Sequence, residues 1–154
     1  MYKDYVNLPY ALGTQDCYTL VQQFYQIEYG IELKNHARPN AWAMNPNLNL
    51  LHDYFGVERF FDTGNNPNKV QFGDILVMNL LKSPVDNHVA IYVGRNKVLH
   101  HLYGKPSELS DYDKRWRLRT TTVLRHPEVE RLSSIDGIGR VLASMPAHMR
   151  FRRG

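Results

Sequence analysis

A single cysteine, Cys17, and seven histidines carry most of the reactive potential of this 154-residue chain. Cys17, Leu20, Val21 and Phe24 recur at i, i+3, i+4 and i+7, the spacing of one buried helix face. Gly30 offers a C-terminal stop. The spacing predicts Cys17 in the first turn, facing inward, with the Asp16 carboxylate before it placed to cap the helix. Unpaired amides and the positive end of the helix dipole favour a thiolate there. An active-site thiol is then expected to alkylate below about pH 8. His88 opens the apolar run HVAIYV, and His100 lies in the run KVLHHLY. A turn near Arg95 and Asn96 would fold these into a hairpin and bring the two imidazoles together. His88 then takes the thiol proton and His100 holds the His88 ring, the Cys–His–polar logic of cysteine acyl transfer. Against this stand plainer roles. A lone cysteine is commonly a small buried apolar residue, and a histidine at a strand start a polar edge. The pair His100–His101 invites a metal, but adjacent strand residues point to opposite faces. With no HxxxH or CxxC spacing, neither metal nor cofactor is expected.

The elements that must position these groups read as an α+β pattern: an N-terminal helix packed on an antiparallel sheet. Residues 1–15 are irregular, punctuated by Pro9 and Gly13. After the Cys17 helix, residues 34–47 read as an Asn/Pro-rich loop. Asn45 as cap and Pro46 at the first helical position predict a second helix over 46–55, ended by Gly56. A short strand is expected at 57–61, a turn-rich loop at 62–69, and strands at 74–81, 88–93, 97–103 and 118–125. Residues 104–114 read as polar loop. Residues 127–154 show no periodicity that would place them in the core.

Length fits one domain. The net charge of +4 and pI of about 9.2 suit an anionic partner without selecting one. One cysteine excludes an internal disulfide framework. The basic run KRWRLR, 114–119, has a single aromatic and no recognisable module, so no nucleic acid is expected. No stretch approaches the roughly 18 apolar residues of a membrane span, so no stable membrane insertion is expected. The N-terminus lacks a signal-peptide apolar run, so synthesis in the cytoplasm without an export signal is expected.

Four ordered blocks resemble one family. Tyr10-Ala-Leu-Gly13 followed by Asp16-Cys17 and an apolar helix resembles the opening of NlpC/P60 cysteine peptidases, whose usual pattern is Tyr-x-x-Gly, a loop, then Asp-Cys-Ser-Gly. Phe72-Gly73-Asp74-Ile75-Leu76 is similar to the family's Gly-Asp-Leu strand. His88-Val-Ala-Ile-Tyr-Val-Gly94 resembles its histidine strand, and His100 falls at the spacing of its second histidine. His100-His101-Leu102, Gly104, Ser107, Trp116 and Val123-Leu-Arg-His126 resemble the phage tail assembly branch. The resemblance implies a papain-like fold over residues 1–126, with 127–154 as an extension and possible docking segment. It implies Cys17 as nucleophile, His88 as base, His100 as orienting group, and a Tyr10 hydroxyl for the oxyanion. It further implies a peptidase-only member, carried in a virion tail tip, made in the host cytoplasm and acting in the periplasm. The substrate would be bacterial peptidoglycan, cut in the stem peptide at the D-glutamyl–diaminopimelate bond. Tail-tip hub proteins are the implied partners, contacted through KRWRLR and the terminal MRFRRG. Two alternatives stand beside this: a structural tail component using the fold for docking, and a different acyl transfer on the same fold. One departure is local: Tyr18-Thr19 replaces Ser-Gly after the cysteine, placing a tyrosine to narrow the cleft or stack on substrate.

Overall fold

The structure, a computed structural model, describes residues 2–64 and 66–134. The cysteine-bearing helix forms where the spacing predicts, as α1 (Cys17–Tyr29). Asp16 and Thr19 close a reciprocal capping box: the Asp16 carboxylate accepts the Thr19 amide at 3.0 Å, and the Thr19 hydroxyl accepts the Asp16 amide at 2.7 Å. These bonds satisfy two otherwise orphaned donors. Gly30, left-handed at φ 66°, ends the helix, and its amide returns to the Gln26 carbonyl. Leu20, Val21 and Phe24 are buried. Their burial contributes roughly 1.5–3 kcal/mol each.

α2 (Leu50–Val57) starts later than expected. Residues 42–44 instead form a short 3-10 turn, and Asn45 is its C-cap. Gly56, expected as the stop, lies within α2. Helix formation there follows the buried Leu50, Leu51 and Phe55 rather than the Asn-Pro start signal. The sheet comprises β1 (Phe61–Asp62), β2 (Ile75–Met78), β3 (His88–Tyr92), β4 (Lys97–His100), β5 (Glu108–Asp111) and β6 (Thr120–Arg125). Its order is β1-β6-β2-β3-β4-β5, antiparallel throughout. β6 therefore sits inside the sheet, between β1 and β2. Residues 104–114, expected as loop, contain β5, and α3 (Lys114–Arg117) follows it.

Two cores flank the sheet. Ile75, Val77, Val89, Ile91 and Leu99 face α1 and α2; Leu76, Met78, Ala90, Val98 and Val123 pack with Tyr112 and Trp116 on the other side. Burial on both faces explains why β2 reads as a continuous apolar run rather than an alternating one. At the head of β2, Asp74 is fully buried and takes a bidentate pair of bonds from Arg125 at 2.8 and 2.9 Å. Tyr25 donates to the Gly73 carbonyl at 2.6 Å, tying α1 to that brace. Gly73 is required twice over: its φ is +89°, and a Cβ would lie 2.3 Å from the Tyr29 hydroxyl oxygen.

α4 (Pro127–Ser134) follows β6 and buries Val129 in the α1-side core. The MRFRRG terminus lies outside the described residues. The N-terminal segment is anchored through Ser107, whose hydroxyl donates to the Tyr5 carbonyl at 2.7 Å and accepts the Leu8 amide at 2.9 Å. Backbone bonds from Asn7 to Ser107 and from Ser107 to Leu8 complete the clamp, which sets the path of the chain into Tyr10.

Candidate active site

A cleft of about 480 Å3 opens at the N-terminus of α1, with Cys17, His88, Tyr10, Asp16, Arg38 and His101 in its lining. Trp42, Met44, Leu81 and Tyr103 supply the larger apolar side chains of the wall. The fold thus brings Cys17 and His88, 71 positions apart in the chain, to one cavity. Their convergence follows from α1 packing its first turn against the start of β3: the Val89 backbone amide hydrogen-bonds the Cys17 sulfur.

The hairpin forms as expected, with Gly94, Arg95 and Asn96 all left-handed in the turn. Its register pairs Ala90 with His100, so His88 and His100 are diagonal neighbours on one face. His88 Nε2 and His100 Nδ1 are 3.0 Å apart. His100 is completely buried, and its ring meets Trp116 edge-on at 4.9 Å. Its other nitrogen, Nε2, lies 3.0 Å from a Glu108 carboxylate oxygen and 3.1 Å from the Ser110 hydroxyl.

The ionisation of the site differs from the expectation drawn from the helix dipole. Burial, and then the Asp16 carboxylate, push the Cys17 thiol up to about 12. The Val89 and Tyr18 amides and the Arg38 guanidinium oppose this without reversing it. A dipole offers at most about 2 kcal/mol, less than the desolvation of a buried thiolate. Burial, with further contributions from His100 and His101, holds His88 well below the usual histidine range. Burial thus disfavours both the thiolate and the imidazolium at rest.

Asp16 is the N-cap and also half of a buried ion pair. Arg38 Nε approaches its Oδ2 at 2.5 Å and Nη2 its Oδ1 at 3.1 Å; the Gly13 amide adds a bond at 2.9 Å. Tyr10 lines the cleft, edge-on to His101 at 5.5 Å and against Tyr103 at 5.0 Å. Burial, then Asp16 and Cys17, raise its hydroxyl above the ordinary value, so it stays a proton donor at neutral pH. His101, expected on the far face, lines the cleft as well. It lies just past the end of β4, where the strict alternation of a strand no longer applies. Tyr18, expected to meet substrate, is fully buried away from the cleft. Its hydroxyl donates to the Lys34 carbonyl at 2.8 Å, and its ring packs on Phe55 and Tyr54. One step along a helix rotates a side chain by about 100°, which turns Tyr18 from the cleft toward α2. Among the described residues, no group of three or more His, Cys, Asp or Glu could hold a metal ion, and no helix is long and apolar enough to cross a membrane.

The NlpC/P60 family model matches residues 7–125, which contain every residue of this cleft. The chain belongs to the NlpC/P60 family. Among curated relatives it is 33% identical over 126 residues to tail tip assembly protein K of Escherichia phage lambda, covering 82% of this chain and 60% of that protein. It is 31% identical over 121 residues to tail tip assembly protein K of Escherichia phage N15, covering 79% of this chain and 49% of that one. The chain thus spans about half to three-fifths of the length of these relatives. Among solved structures, an NLP/P60-family protein from Staphylococcus aureus subsp. aureus Mu50, described as similar to lipoprotein, superposes with a TM-score of 0.52 at 22% identity. The match covers 79% of this chain and 37% of that one. This likeness bears on the fold alone and agrees with a papain-like α+β architecture.

Arg38, His101, Glu108 and Ser110 were not singled out as site residues by the sequence. Arg38 had no motif spacing to mark it, His101 was marked only beside His100, as a metal pair set aside, and within the His100-His101-Leu102 block, and Glu108 and Ser110 lay in a segment read as loop.

Proposed function

We propose that this NlpC/P60 member is a tail-tip-associated cysteine endopeptidase that hydrolyses an amide in the peptidoglycan stem peptide. The bond joining D-glutamate to diaminopimelate is the favoured target. The observation that carries the proposal is the buried line running from the cleft through His88 to His100, with the only thiol of the chain on the same cavity.

The chemistry follows from a pair whose charged forms burial disfavours at rest. Substrate entering the cleft displaces water, and the Cys17 proton passes to His88 as the sulfur attacks the carbonyl carbon. Transfer during attack avoids a standing thiolate, whose buried charge the site disfavours. The negative charge forming on the carbonyl oxygen is met by backbone amides at the α1 N-terminus and by the Tyr10 hydroxyl. His88, now protonated, gives its proton to the leaving amine, and a thioester remains on Cys17. Water attacks that thioester with His88 again as base, releasing the carboxylate and restoring the thiol. His100 holds the His88 ring through the 3.0 Å contact. Catalysis needs no metal or cofactor in this scheme.

The tail placement rests on the two tail tip assembly relatives. In this reading residues 1–126 are the peptidase domain, and residues 127–154, with the exposed basic residues of 114–119, contact hub proteins of the tail. Delivery in a virion brings the enzyme to the periplasm. A structural role has the same support from those relatives, and reactivity separates the two. Purified sacculi incubated with wild-type protein should release new amino termini, and Cys17→Ala protein should not. Equal release by both removes the peptidase reading and leaves the docking role. Mass spectrometry of the products identifies the bond and separates hydrolysis from another acyl transfer.

A further inference from the structure

The geometry points to Glu108 as a positioning residue that sets the tautomers of both site histidines, by accepting the His100 Nε2–H bond from the edge strand β5. This deepens the peptidase reading and rests on it for its catalytic consequence, though not for its structural one.

Hydrogen-bond direction in this chain can be worked outward from the one member with no choice. A carboxylate only accepts. Glu108 Oε1 lies 3.0 Å from His100 Nε2, so that nitrogen carries the proton. A neutral imidazole has one N–H, so His100 Nδ1 is then a bare acceptor. His88 Nε2 lies 3.0 Å from it and must donate. The single proton of a neutral His88 is thereby spent on Nε2, leaving the Nδ1 lone pair as the base that can receive the thiol proton. Each step is forced by the one before it. Reversing the chain would put the His88 proton on the nitrogen needed as base.

Ser110 does not supply this direction. Its hydroxyl is 3.1 Å from the same His100 nitrogen, but a hydroxyl donates or accepts equally well. Both histidines are buried, which disfavours their charged forms, so solvent is poorly placed to choose a tautomer for them. Glu108 reaches the pair because the β4–β5 register places it directly opposite His100. Trp116, edge-on to the His100 ring, closes one side of that contact. Glu108 itself is half exposed on β5, so its replacement should leave the fold intact.

The test reads the ring nitrogens directly. Full-length protein labelled with nitrogen-15 in histidine is examined by long-range proton–nitrogen correlation at neutral pH. In wild type, His88 and His100 should both show protonated Nε2 and bare Nδ1. Glu108→Ala should convert His100 to a mixture of tautomers, with His88 following it. Glu108→Gln, whose amide can turn either its carbonyl or its NH2 to the ring and so does not force the direction, should also lose part of the wild-type preference. Wild-type protein with Nδ1–H on either ring overturns the assignment, as does a Glu108→Ala protein whose rings match wild type. The wild-type spectrum is decisive even if a variant fails to fold. On sacculi, Glu108→Ala should lower kcat roughly tenfold or more at little-changed KM, with Glu108→Gln falling between it and wild type. If wild type releases no amino termini, the peptidase reading fails while the ring spectra still decide the tautomers.

Discussion

Removing Arg38 should damage the protein more through the carboxylate it abandons than through the bonds it takes away. The Arg38 side chain is 1% exposed and that of Asp16 3%. Arg38 makes two bonds to Asp16, one to the His36 carbonyl at 2.5 Å and one to Asn35 at 3.1 Å. In Arg38→Met the Asp16 carboxylate keeps the Thr19 and Gly13 amides, the Thr19 hydroxyl at 3.2 Å and the helix dipole, but no counter-charge. Breaking a buried pair from one side costs about 3–5 kcal/mol. For a domain of this size that is a fall of roughly 10–15 °C in Tm. Asp16→Asn retains a capping side chain but strands the guanidinium, and should also be destabilised. The double variant removes both charges and should recover to within about 2 kcal/mol of wild type, a clear departure from additivity. The thiol reports the same pair independently. Asp16 raises the Cys17 pKa and Arg38 lowers it. The midpoint of iodoacetamide reactivity against pH should therefore move up in Arg38→Met and down in Asp16→Asn. Denaturant unfolding and alkylation rates on the four proteins make the complete cycle. Single-variant losses that simply add in the double, or an Arg38→Met protein within about 1 kcal/mol of wild type, would refute the reasoning.

Folding stability should fall as pH drops below the ordinary histidine value of 6.5. The folded-state value of His88 is depressed by burial, so the unfolded chain takes up the proton first. The stability is complete above that value and lost as pH falls, by up to about 1.4 kcal/mol per pH unit for each such histidine. His88→Gln should flatten the slope in denaturant titrations, and an unchanged slope would contradict the assignment. Tyr10→Phe should lower kcat on muropeptides by about 10²-fold with KM nearly constant, as expected for a donor that acts on the developing oxyanion; an unaltered kcat would remove Tyr10 from that role.

Much of the site was legible because its parts are local. The Cys17 helix, its Asp16 cap and its Gly30 stop are written in a periodicity and two end signals, which need no distant partner. The hairpin was legible for the same reason. Its turn lies between two apolar runs, and the turn fixes the diagonal placement of His88 and His100. Where local signals compete with packing, packing prevails. Asn45-Pro46 announces a helix start, yet the buried Leu50, Leu51 and Phe55 draw the helix four residues later. Glu108 and Ser110 looked like loop residues, because an edge strand exposes most of its side chains and shows little apolar alternation.

The amino-acid order alone determined the candidate site's thiol at a helix start, its two histidines on one hairpin and the α+β pattern that carries them, since each depends on neighbours within about a dozen positions. The tertiary structure decided the direction in which the thiol is pushed, because desolvation and the Asp16–Arg38 pair act on it against the dipole, and only burial and distances say which prevails. It likewise decided that Tyr18 turns away from the cleft while His101 turns in, and that Glu108 stands opposite His100. Those outcomes rest on helix rotation, strand ends and register, which come from the packing of whole elements.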